Sequence, residues 1–517
     1  MPRCRAQLRP WRLVVATAVA AGASLPARAE DPFDLRVLAS PGRTKLAEIV
    51  DLDGDGRSDV LSVAFVGLPP AERPEVRAHF QREDGSFPDQ PDWTGTLPPG
   101  VAVYDLADRP GTDATGVLFV ARDRITQLSL AGRSPTWHEI PLVGVTTIAI
   151  AADERGLDRL HVARSDLGPA PRWLVPGLGE AILLTPAGEI VARMDVGARA
   201  NYFVPARPGP LVNESEIELY FDVPRLHTGD VDGDGRVDLI ASGRHEIRVF
   251  LQRPDGGFPR RADRALALGL MSEADHIRNS GSVRIDVRDL NGDDRVDLLV
   301  SHTAEGLFRA RSETRFHLNR GGKWDLAAPD QTFSAIGEFS TAQLIDLDGD
   351  GRLEFVAVRI PLGVLELIEM LVTRSIDAEI AIHRRDGAED GRVYAVKPWF
   401  QRKLDVPFSF ETSRPKGFIP TLGGDWNGDG YRDRLGSDGG EGLEIHLGGP
   451  EHRYRKRAAR QAFDSSGRIR FGDVDGDGLT DFLLYDHRRP DAPLRIGINR
   501  GLLPDTRAPR ELEAASP

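Results

Sequence analysis

The chain has 517 residues, of which 40% are hydrophobic and 28% are charged, and this composition is typical of a globular protein. Its formal net charge is −13, whereas nucleic-acid-binding proteins are expected to be basic, so the charge argues against nucleic acid as a partner. The length fits several ordinary domains or one large repeat array, and internal repeats are therefore considered first.

The first 29 residues have the features of a secretory signal peptide. An arginine-rich start precedes an apolar run, Leu13 to Leu25, which ends in Ala27-Arg28-Ala29. We predict cleavage after Ala29 and export to the periplasm or the medium. The alternative is an N-terminal membrane anchor, but the apolar run has about 13 residues and a spanning helix needs roughly 20.

Export would leave a chain without cysteine, because the only cysteine is Cys4. Such a chain has no disulfides and is held by packing or by metal. Loss of the five leader arginines would change the net charge from −13 to −18, for which divalent cations are a natural counter-charge. No later stretch is long and apolar enough to span a membrane. We expect a signal peptide at 1–29, one repeat domain at 30–503 and a disordered tail at 504–517.

An acidic string of nine residues, DLDGDGRSD at Asp51, returns five more times along the chain. Positions one, three and five carry Asp or Asn, position six is glycine in five copies, and position nine is a carboxylate. The predicted metal ligands at positions one, three, five, seven and nine are Asp51, Asp53, Asp55, Arg57, Asp59; Asp230, Asp232, Asp234, Arg236, Asp238; Asp289, Asn291, Asp293, Arg295, Asp297; Asp346, Asp348, Asp350, Arg352, Glu354; Asp425, Asn427, Asp429, Tyr431, Asp433; and Asp473, Asp475, Asp477, Leu479, Asp481.

This spacing fits a loop that binds calcium. Oxygen ligands at positions one, three and five, a backbone carbonyl at position seven and a glycine at position six suit a hard cation. An EF-hand would add a glutamate at position twelve, which no copy has, and an apolar β-type run follows instead. A plain acidic turn is the alternative, but six copies with one ligand spacing disfavour it. We predict about six calcium ions, with the Asp289 loop weakest because Asn291 removes a charge and Asp294 replaces the glycine.

These loops resemble the FG-GAP or VCBS repeats of secreted bacterial proteins and of the integrin alpha propeller. In that family the loop joins the first and second strands of a propeller blade. The resemblance covers nearly the whole chain after the leader and implies an all-β propeller of four-stranded blades with structural calcium. It implies little about activity, because many functions use this scaffold.

The strands can be counted around the loops. Each loop follows a short apolar segment and precedes the second strand; an alternating third strand follows, and an aromatic residue is expected at the head of the fourth. The third strands are predicted at 75–82, 246–253, 314–320, 378–385, 443–449 and 494–500, and the aromatic residues are Phe87, Phe258, Trp324, Tyr394 and Tyr454.

Two further units have decayed motifs that should not bind calcium. One, at 101–121, keeps Asp105 and Asp113, and the other, at 146–163, keeps Glu154 and Asp158. Six intact units and two decayed ones predict an eight-bladed propeller. Residues 33–40 form a spare strand that can complete the last blade and close the ring. A seven-bladed ring, with one decayed unit as an insertion, is the alternative.

The connections from strand two to three and from strand four to one should lie on the face opposite the calcium loops. Residues 361–374 predict a short amphipathic helix there, with Val364, Leu367, Ile368 and Leu371 on one side. We expect this apolar side to pack on the propeller itself, with a membrane or partner contact as the alternative. Segments 192–210 and 396–418, interpreted as connections from strand four to strand one, mix aromatic and basic residues. They suit either blade packing or an acidic carbohydrate or anionic protein surface; these residues are Arg193, Arg199, Tyr202, Phe203, Arg207, Trp399, Phe400, Arg402, Lys403, Phe408 and Phe410.

The sequence has no recognisable catalytic motif such as HExxH, GxSxG or a P-loop, and its twelve histidines show no ligand-like spacing. We therefore predict a non-enzymatic adhesion or binding scaffold for an extracellular protein or an acidic polysaccharide, with no catalytic residues assigned. The alternative is a calcium-assisted polysaccharide lyase or another propeller carbohydrate-active enzyme, since propeller lyases use calcium and dispersed basic residues.

Overall fold

The computed structural model describes residues 31–68, 71–108, 113–142, 157–168, 170–177, 179–203, 218–272, 275, 281–304, 311–336, 338–361, 364–385, 392–410, 414–416, 420–437, 439–450, 453–454 and 456–504. Within these ranges the chain forms eight successive sheets that are the blades of a propeller. The first strand, β1 (Phe33–Leu38), belongs to the last blade. Residues 1–30 and 505–517 lie outside the described residues.

The first four blades follow in chain order. Blade one contains β2 (Arg43–Val50), β3 (Asp59–Val66), β4 (Arg73–His79) and β5 (Trp93–Thr96). Blade two contains β6 (Val101–Asp108), β7 (Thr115–Ala121), β8 (Arg124–Ser129), β9 (Thr136–Pro141) and an added strand, β10 (Asp158–Arg159). Blade three contains β11 (Ala163–Arg164), β12 (Arg172–Pro176), β13 (Ala181–Leu184) and β14 (Ile190–Met194). A hairpin, β15 (Arg199–Phe203) with β16 (Glu218–Asp222), leads to blade four, which contains β17 (Arg225–Gly229), β18 (Asp238–Ser242), β19 (Glu246–Phe250) and β20 (Arg264–Ala267).

The last four blades complete the ring. Blade five contains β21 (Ser282–Arg288), β22 (Asp297–Ala304), β23 (Arg311–His317) and β24 (Gln331–Ile336). Blade six contains β25 (Glu338–Ile345), β26 (Glu354–Pro361), helix α1 (Val364–Thr373), β27 (Ser375–His383), β28 (Phe400–Ser409) and β29 (Arg414–Pro415). Blade seven contains β30 (Thr421–Gly424), β31 (Asp433–Ser437), β32 (Gly442–His446) and β33 (Arg457–Ala462). Blade eight contains β34 (Arg468–Gly472), β35 (Asp481–Tyr485) and β36 (Leu494–Asn499), and β1 is its fourth strand.

The N-terminal strand closes the ring. β1 pairs antiparallel with β36 over six residues, from Phe33 opposite Asn499 to Leu38 opposite Leu494. This confirms the predicted eight-bladed propeller with closure by the N-terminal strand. The seven-bladed alternative is wrong, because both units with decayed motifs supply blades of their own.

The hydrophobic core is divided among the interfaces between neighbouring blades. The second strands are buried on both faces, as in the all-buried pattern of β18, so alternate residues face opposite neighbours. Leu239 packs with blade three, whereas the next residue, Ile240, packs with blade five. Eight such clusters occur in the described chain, one at each of the eight interfaces. Each blade is therefore stabilised mainly by its neighbours.

The aromatic residues predicted at the heads of the fourth strands lie earlier, in the connections that precede those strands. Tyr394, for example, comes before β28 and packs against blade five, and its hydroxyl donates to the carbonyl oxygen of Leu353 at 2.9 Å. Trp324 and Tyr454 likewise pack against the preceding blades. The predicted position was wrong. A large aromatic side chain is buried in the gap between two blades, whereas on the outer strand it would be more exposed.

Two other assignments also need correction. Segment 396–418 is predicted to be a connection, but it contains the fourth strand of blade six, β28, which pairs with β27 from Ile382 opposite Phe400 to Ser375 opposite Pro407. The decayed unit is predicted at 146–163, but blade three begins only at the end of this range, with β11 as its first strand. The earlier strand in the range, β10, pairs parallel with β6 and belongs to blade two. Glu154 lies outside the described residues. Weak alternation and a missing loop motif left the strand boundaries there poorly specified.

Helix α1 lies between β26 and β27, as predicted. However, Ile368 and Leu371 of this helix are 52% and 62% exposed, and Val372 is 78% exposed. The side chains of Val364 and Leu367 are outside the described part of the structure. The expectation that the apolar side packs on the propeller is therefore wrong for Ile368 and Leu371. None of the helices in the described ranges is long and apolar enough to cross a membrane.

Candidate metal centres

Each acidic string forms a tight loop around its first residue. In blade one, Gly54 N donates to Asp51 Oδ1 at 2.7 Å and Gly56 N donates to Asp51 Oδ2 at 2.9 Å. The same two bonds recur at the five other first positions, Asp230, Asp289, Asp346, Asp425 and Asp473. Gly56 has φ +82°, a left-handed conformation that glycine adopts without strain. At the equivalent position Asp294 has φ 64°.

The folded loops bring carboxylates together. Four groups each place three carboxylates with ligand atoms within 4.8 Å of one another; these are Asp51, Asp53 and Asp59; Asp230, Asp232 and Asp234; Asp346, Asp348 and Glu354; and Asp473, Asp475 and Asp481. In blade six, Asp348 Oδ1 is buried and has no hydrogen-bond partner among the described residues. Clustered carboxylate oxygens, one of them buried without a donor, fit a hard oxygen-seeking cation such as calcium.

The two loops with asparagine at position three differ from the others. Asn427 donates its side-chain amide to Asp429 Oδ2 at 2.9 Å, and Asn291 does the same to Asp293 Oδ2 at 3.0 Å. Asn427 Oδ1 is buried and has no hydrogen-bond partner within the described ranges. An amide thus supplies part of the charge compensation in these two loops, and a bound cation would require its oxygen to turn inward. Whether the Asp289 loop binds most weakly remains a prediction.

Position seven completes the turn through its backbone. The N–H of Arg57 donates to Asp55 Oδ1 at 3.0 Å, and the equivalent bond occurs at Arg236, Arg295, Arg352, Tyr431 and Leu479. The side chains of Arg57 and Arg236 also pair with the position-five carboxylates Asp55 and Asp234. The position-five side chains are thus oriented before any cation binds.

The carboxylate at position nine has a second role that the sequence did not reveal. Asp59 is fully buried, and its two oxygens accept the N–H groups of Leu52, in the loop, and Gln81, after the third strand, at 2.9 Å each. Asp238, Asp297, Asp433 and Asp481 make the same two bonds in their blades, and Glu354 makes the bond to the loop. Position nine therefore joins the loop to the end of the third strand.

Burial raises the pKa of these position-nine groups. The pKa of Asp59 rises to about 7, because desolvation outweighs the backbone hydrogen bonds that lower it. The same causes raise the pKa of Glu354 and Asp433 to about 7 and that of Asp238, Asp297 and Asp481 to about 6. A nearby cation would favour the ionised forms and reverse this tendency.

Two arginines that the sequence analysis missed reach the loops. Arg133 lies in the turn between β8 and β9 of blade two, and its Nε is 2.7 Å from Asp53 Oδ2 in the loop of blade one. Arg384 Nη2 is 3.0 Å from Asp348 Oδ2 in blade six. The only signal in the sequence would have been basic residues near the ends of third strands. Part of the acidic charge is therefore balanced by the chain's own cations.

The remnant of the motif in blade two has become structural. Asp105 is 1% exposed, and its Oδ2 accepts the N–H groups of Val162 and Ala163 at 2.7 and 2.9 Å. Its Oδ1 is 2.9 Å from Arg159 Nε. Asp113, by contrast, is exposed. Asp105 thus fastens blade two to the start of blade three.

The aromatic and basic segments are partly used inside the fold. Trp399 lies between the guanidinium groups of Arg384 and Arg453, at 4.2 and 5.2 Å from its ring centre. Phe408 and Phe410 make an edge-to-face ring contact at 5.4 Å, and Phe410 is 41% exposed. In segment 192–210, residues 204–210, which include Arg207, lie outside the described residues.

Comparison with known proteins supports this assignment of the loops. A family model described as an FG-GAP-like repeat matches residues 230–300 and 289–357, which contain the loops of blades four, five and six. No curated protein matches the chain. Similar solved structures include the Dos1 propeller, at 10% identity and a TM-score of 0.41 over 90% of this chain and 94% of that one. Sqt1 from Chaetomium thermophilum also has 10% identity and a TM-score of 0.41, over 89% and 97% of the two chains. The chain is therefore a closed eight-bladed β-propeller, and its blades four to six contain FG-GAP-like repeats.

Proposed function

We propose that the chain is an exported calcium-binding propeller that serves as a binding scaffold for an extracellular protein or polysaccharide. The propeller with FG-GAP-like repeats suggests a scaffold role, because its loops present varied side chains on a rigid ring. Calcium binding, export and the class of ligand are proposals. The leader sequence supports export.

The convergence of three carboxylates in each of four loops is the observation that carries the calcium proposal. Calcium would be held by positions one, three, five and nine and by the carbonyl oxygen of position seven, and it would supply charge neutralisation. The chain's residues already form the turn, since position one accepts two N–H groups and position nine joins the loop to its blade. The cation would therefore stabilise a loop whose backbone is already shaped for it.

The exposed side of α1 supports a contact surface on the face opposite the loops. Ile368, Leu371 and Val372 project from a connection between strands two and three, where they contribute nothing to the inter-blade cores. Phe410, in the connection that leaves the fourth strand of the same blade, adds a further exposed ring. Apolar side chains on such a surface suit a partner contact.

Native mass spectrometry with and without a chelator tests the calcium proposal. We expect about six calcium ions on the mature chain, and a count of zero or one would overturn it. A variant with Asp346→Asn, Asp348→Asn and Asp350→Asn should lose one ion and remain folded, because Glu354 still accepts the N–H of Leu347 at 2.8 Å. Fractionation with N-terminal sequencing tests export, and an uncut cytosolic chain would contradict it.

A glycan and protein array, run with and without calcium, tests the scaffold role. Retention of a ligand without its breakdown is the expected result. An ultraviolet assay for unsaturated uronides, run in parallel on acidic polysaccharides, distinguishes a lyase. Calcium-dependent release of such products would replace the scaffold proposal with an enzymatic one.

A further inference from the structure

A cavity of about 550 Å³ lies between blades two and three, on the face that carries the acidic loops. Its walls come from the end of β6, the starts of β7 and β12, and the connection after β11. These are the two blades in which the acidic loops are missing. In their place the cavity is lined by Arg159, Arg164 and Arg172, together with Gln127 and Ser165.

Two of these arginines are neutralised by carboxylates of the chain. Arg159 pairs with buried Asp105 at 2.9 Å. Arg164 binds both oxygens of Asp166, at 3.0 and 2.9 Å. Burial alone would raise the pKa of Asp166. Its hydrogen bonds with Arg164 and Thr228 have the larger combined effect and lower the pKa below its ordinary value. Asp166 is therefore ionised, and its negative charge compensates the positive charge of Arg164.

Arg172 has no such partner among the described residues. It lies directly opposite Arg164 in the antiparallel pair of β11 and β12, a placement in which like charges repel. Its Nε atom is buried and has no hydrogen-bond partner in the part of the chain that the structure describes. The one carboxylate that lines the cavity, Asp108, is exposed to solvent and makes no ion pair with Arg172 in the described structure. Among the described residues that line the cavity, Arg172 is thus a guanidinium group without an ion-pair partner.

We infer that this cavity binds a small ligand through a single carboxylate group, with a sugar acid as the fitting class. A guanidinium group pairs with a planar carboxylate through two parallel hydrogen bonds, and one unbalanced positive charge matches one negative charge. The volume lies within the usual range for small-molecule sites. Gln127 and Ser165 offer hydrogen bonds to hydroxyl groups. None of the predicted calcium ligands is among the described residues that line the cavity, so we expect binding without calcium.

Calorimetric titration of the full chain with glucuronate tests the inference, with glucose and inorganic phosphate as the comparison ligands. We expect glucuronate to bind, glucose to bind at least tenfold more weakly, and phosphate to bind more weakly than glucuronate. Arg172→Gln should weaken glucuronate binding at least tenfold. Arg320→Gln is the matched control: it removes a 71% exposed arginine of blade five that pairs with Asp330, and binding should not change.

A second variant keeps the test decisive if Arg172→Gln does not fold, which a melting curve would show. Ser165→Trp changes an exposed residue of the cavity and should block it without disturbing the core. Binding should survive a chelator. Glucuronate binding no tighter than that of glucose, tighter binding of phosphate, or full binding by a folded Arg172→Gln or Ser165→Trp variant would each overturn the inference.

Discussion

Individual carboxylates in this propeller have different tasks although they belong to one motif. Asp477, at position five of blade eight, is exposed and accepts the N–H of Leu479 at 2.8 Å. Asp481, at position nine, is fully buried and accepts the N–H groups of Val474 and Asn499 at 2.7 Å each. The exposed Asp477 can bind a cation, whereas Asp481 belongs to the carboxylate group of this loop and also holds together two parts of the blade.

We therefore expect Asp481→Ala to be much more destabilising than Asp477→Ala in the presence of a chelator. Asp481→Ala leaves two buried N–H groups without acceptors and should lower the free energy of unfolding by about 2 to 5 kcal/mol. Asp477→Ala, whose N–H partner can bond to water, should cost less than about 1 kcal/mol. Denaturant titration measures both. Equal effects of the two variants would show that position nine acts only through metal.

Four buried histidines occupy one equivalent place in the third strands. His79, His317, His383 and His446 each lie opposite the second residue of their blade's second strand, where blade four has Phe250. Desolvation lowers the pKa of all four. For His79, the pKa falls from 6.5 to about 4; Asp92 acts to raise it and Arg77 to lower it further.

This shift predicts a loss of stability in acid. Between pH 6.5 and about 4 the unfolded chain binds a proton at His79 that the folded chain does not, so stability falls as the pH falls. His79 alone should cost about 2 kcal/mol between pH 7 and pH 5. His79→Phe copies Phe250 of blade four and should remove that part of the pH dependence. Unfolding titrations at the two pH values measure it, and an unchanged pH dependence would contradict the role of His79.

At the scale of secondary-structure elements, the loops link neighbouring blades through their backbones. The N–H of Thr115 in blade two donates to the carbonyl oxygen of Asp51 in blade one at 2.9 Å. Val296 and Thr480 make the equivalent bonds to Asp230 and Asp425, at 2.9 and 3.3 Å. Each of these three loops is held by the blade that follows it, so a change in one of them should affect the stability of the next blade.

Arg133 provides the sharpest test of how chain cations and calcium compete. Its guanidinium pairs with Asp53, whose side chain is 3% exposed, and it would repel a bound cation. Arg133→Gln should raise the calcium affinity of the blade-one loop about fivefold, because a nearby positive charge is removed. Calorimetry with calcium measures this. Arg253→Gln, which breaks a pair with Asp263 in blade four, is the control and should leave the calcium affinity of the blade-one loop unchanged.

The elements show where sequence reasoning works and where it stops. Glycine and carboxylate spacing specifies the loops locally, so the first and second strands of six blades could be placed from the sequence. The third strands followed from their alternation, as in β19. The fourth strands were less predictable: β28 spans ten residues because its partner β27 is long, and this depends on pairing. Arg133 reaches Asp53 from another blade, a contact between residues 80 positions apart.

At the scale of the whole molecule, closure of the ring depends on the contacts at the point where the last blade meets the first, which we call the seam. Glu48 of blade one accepts a hydrogen bond from the Tyr104 hydroxyl of blade two and pairs with Arg470 of blade eight at 3.0 Å. Glu48 and Tyr104 are 7% and 0% exposed. This buried cluster joins three blades around the point where the chain begins and ends its circuit. Because this cluster is buried, we interpret it as a structural contact between the blades.

β1 is the other half of the seam. Phe33 packs edge-on against Trp426 and Phe482, with ring centres 5.5 and 5.0 Å apart. Its N–H and carbonyl oxygen both bond to the side chain of Gln461 in blade seven, at 3.0 Å each. β1 thus covers the edge of β36 and also fastens blade eight to blade seven. An uncovered β36 would present unpaired N–H and C=O groups to other chains.

Removal of residues 31–40 should therefore lower the melting temperature and promote self-association. A synthetic peptide with the sequence of residues 31–40 should bind the truncated chain as an added strand and restore the monomer. The same peptide with Phe33→Asp keeps the backbone pairing but cannot place a ring between Trp426 and Phe482, so it should restore little. Calorimetry and size-exclusion chromatography measure both effects. If the truncated chain melts as the intact one does and stays monomeric, the ring is held closed by the inter-blade cores and the Glu48 cluster alone.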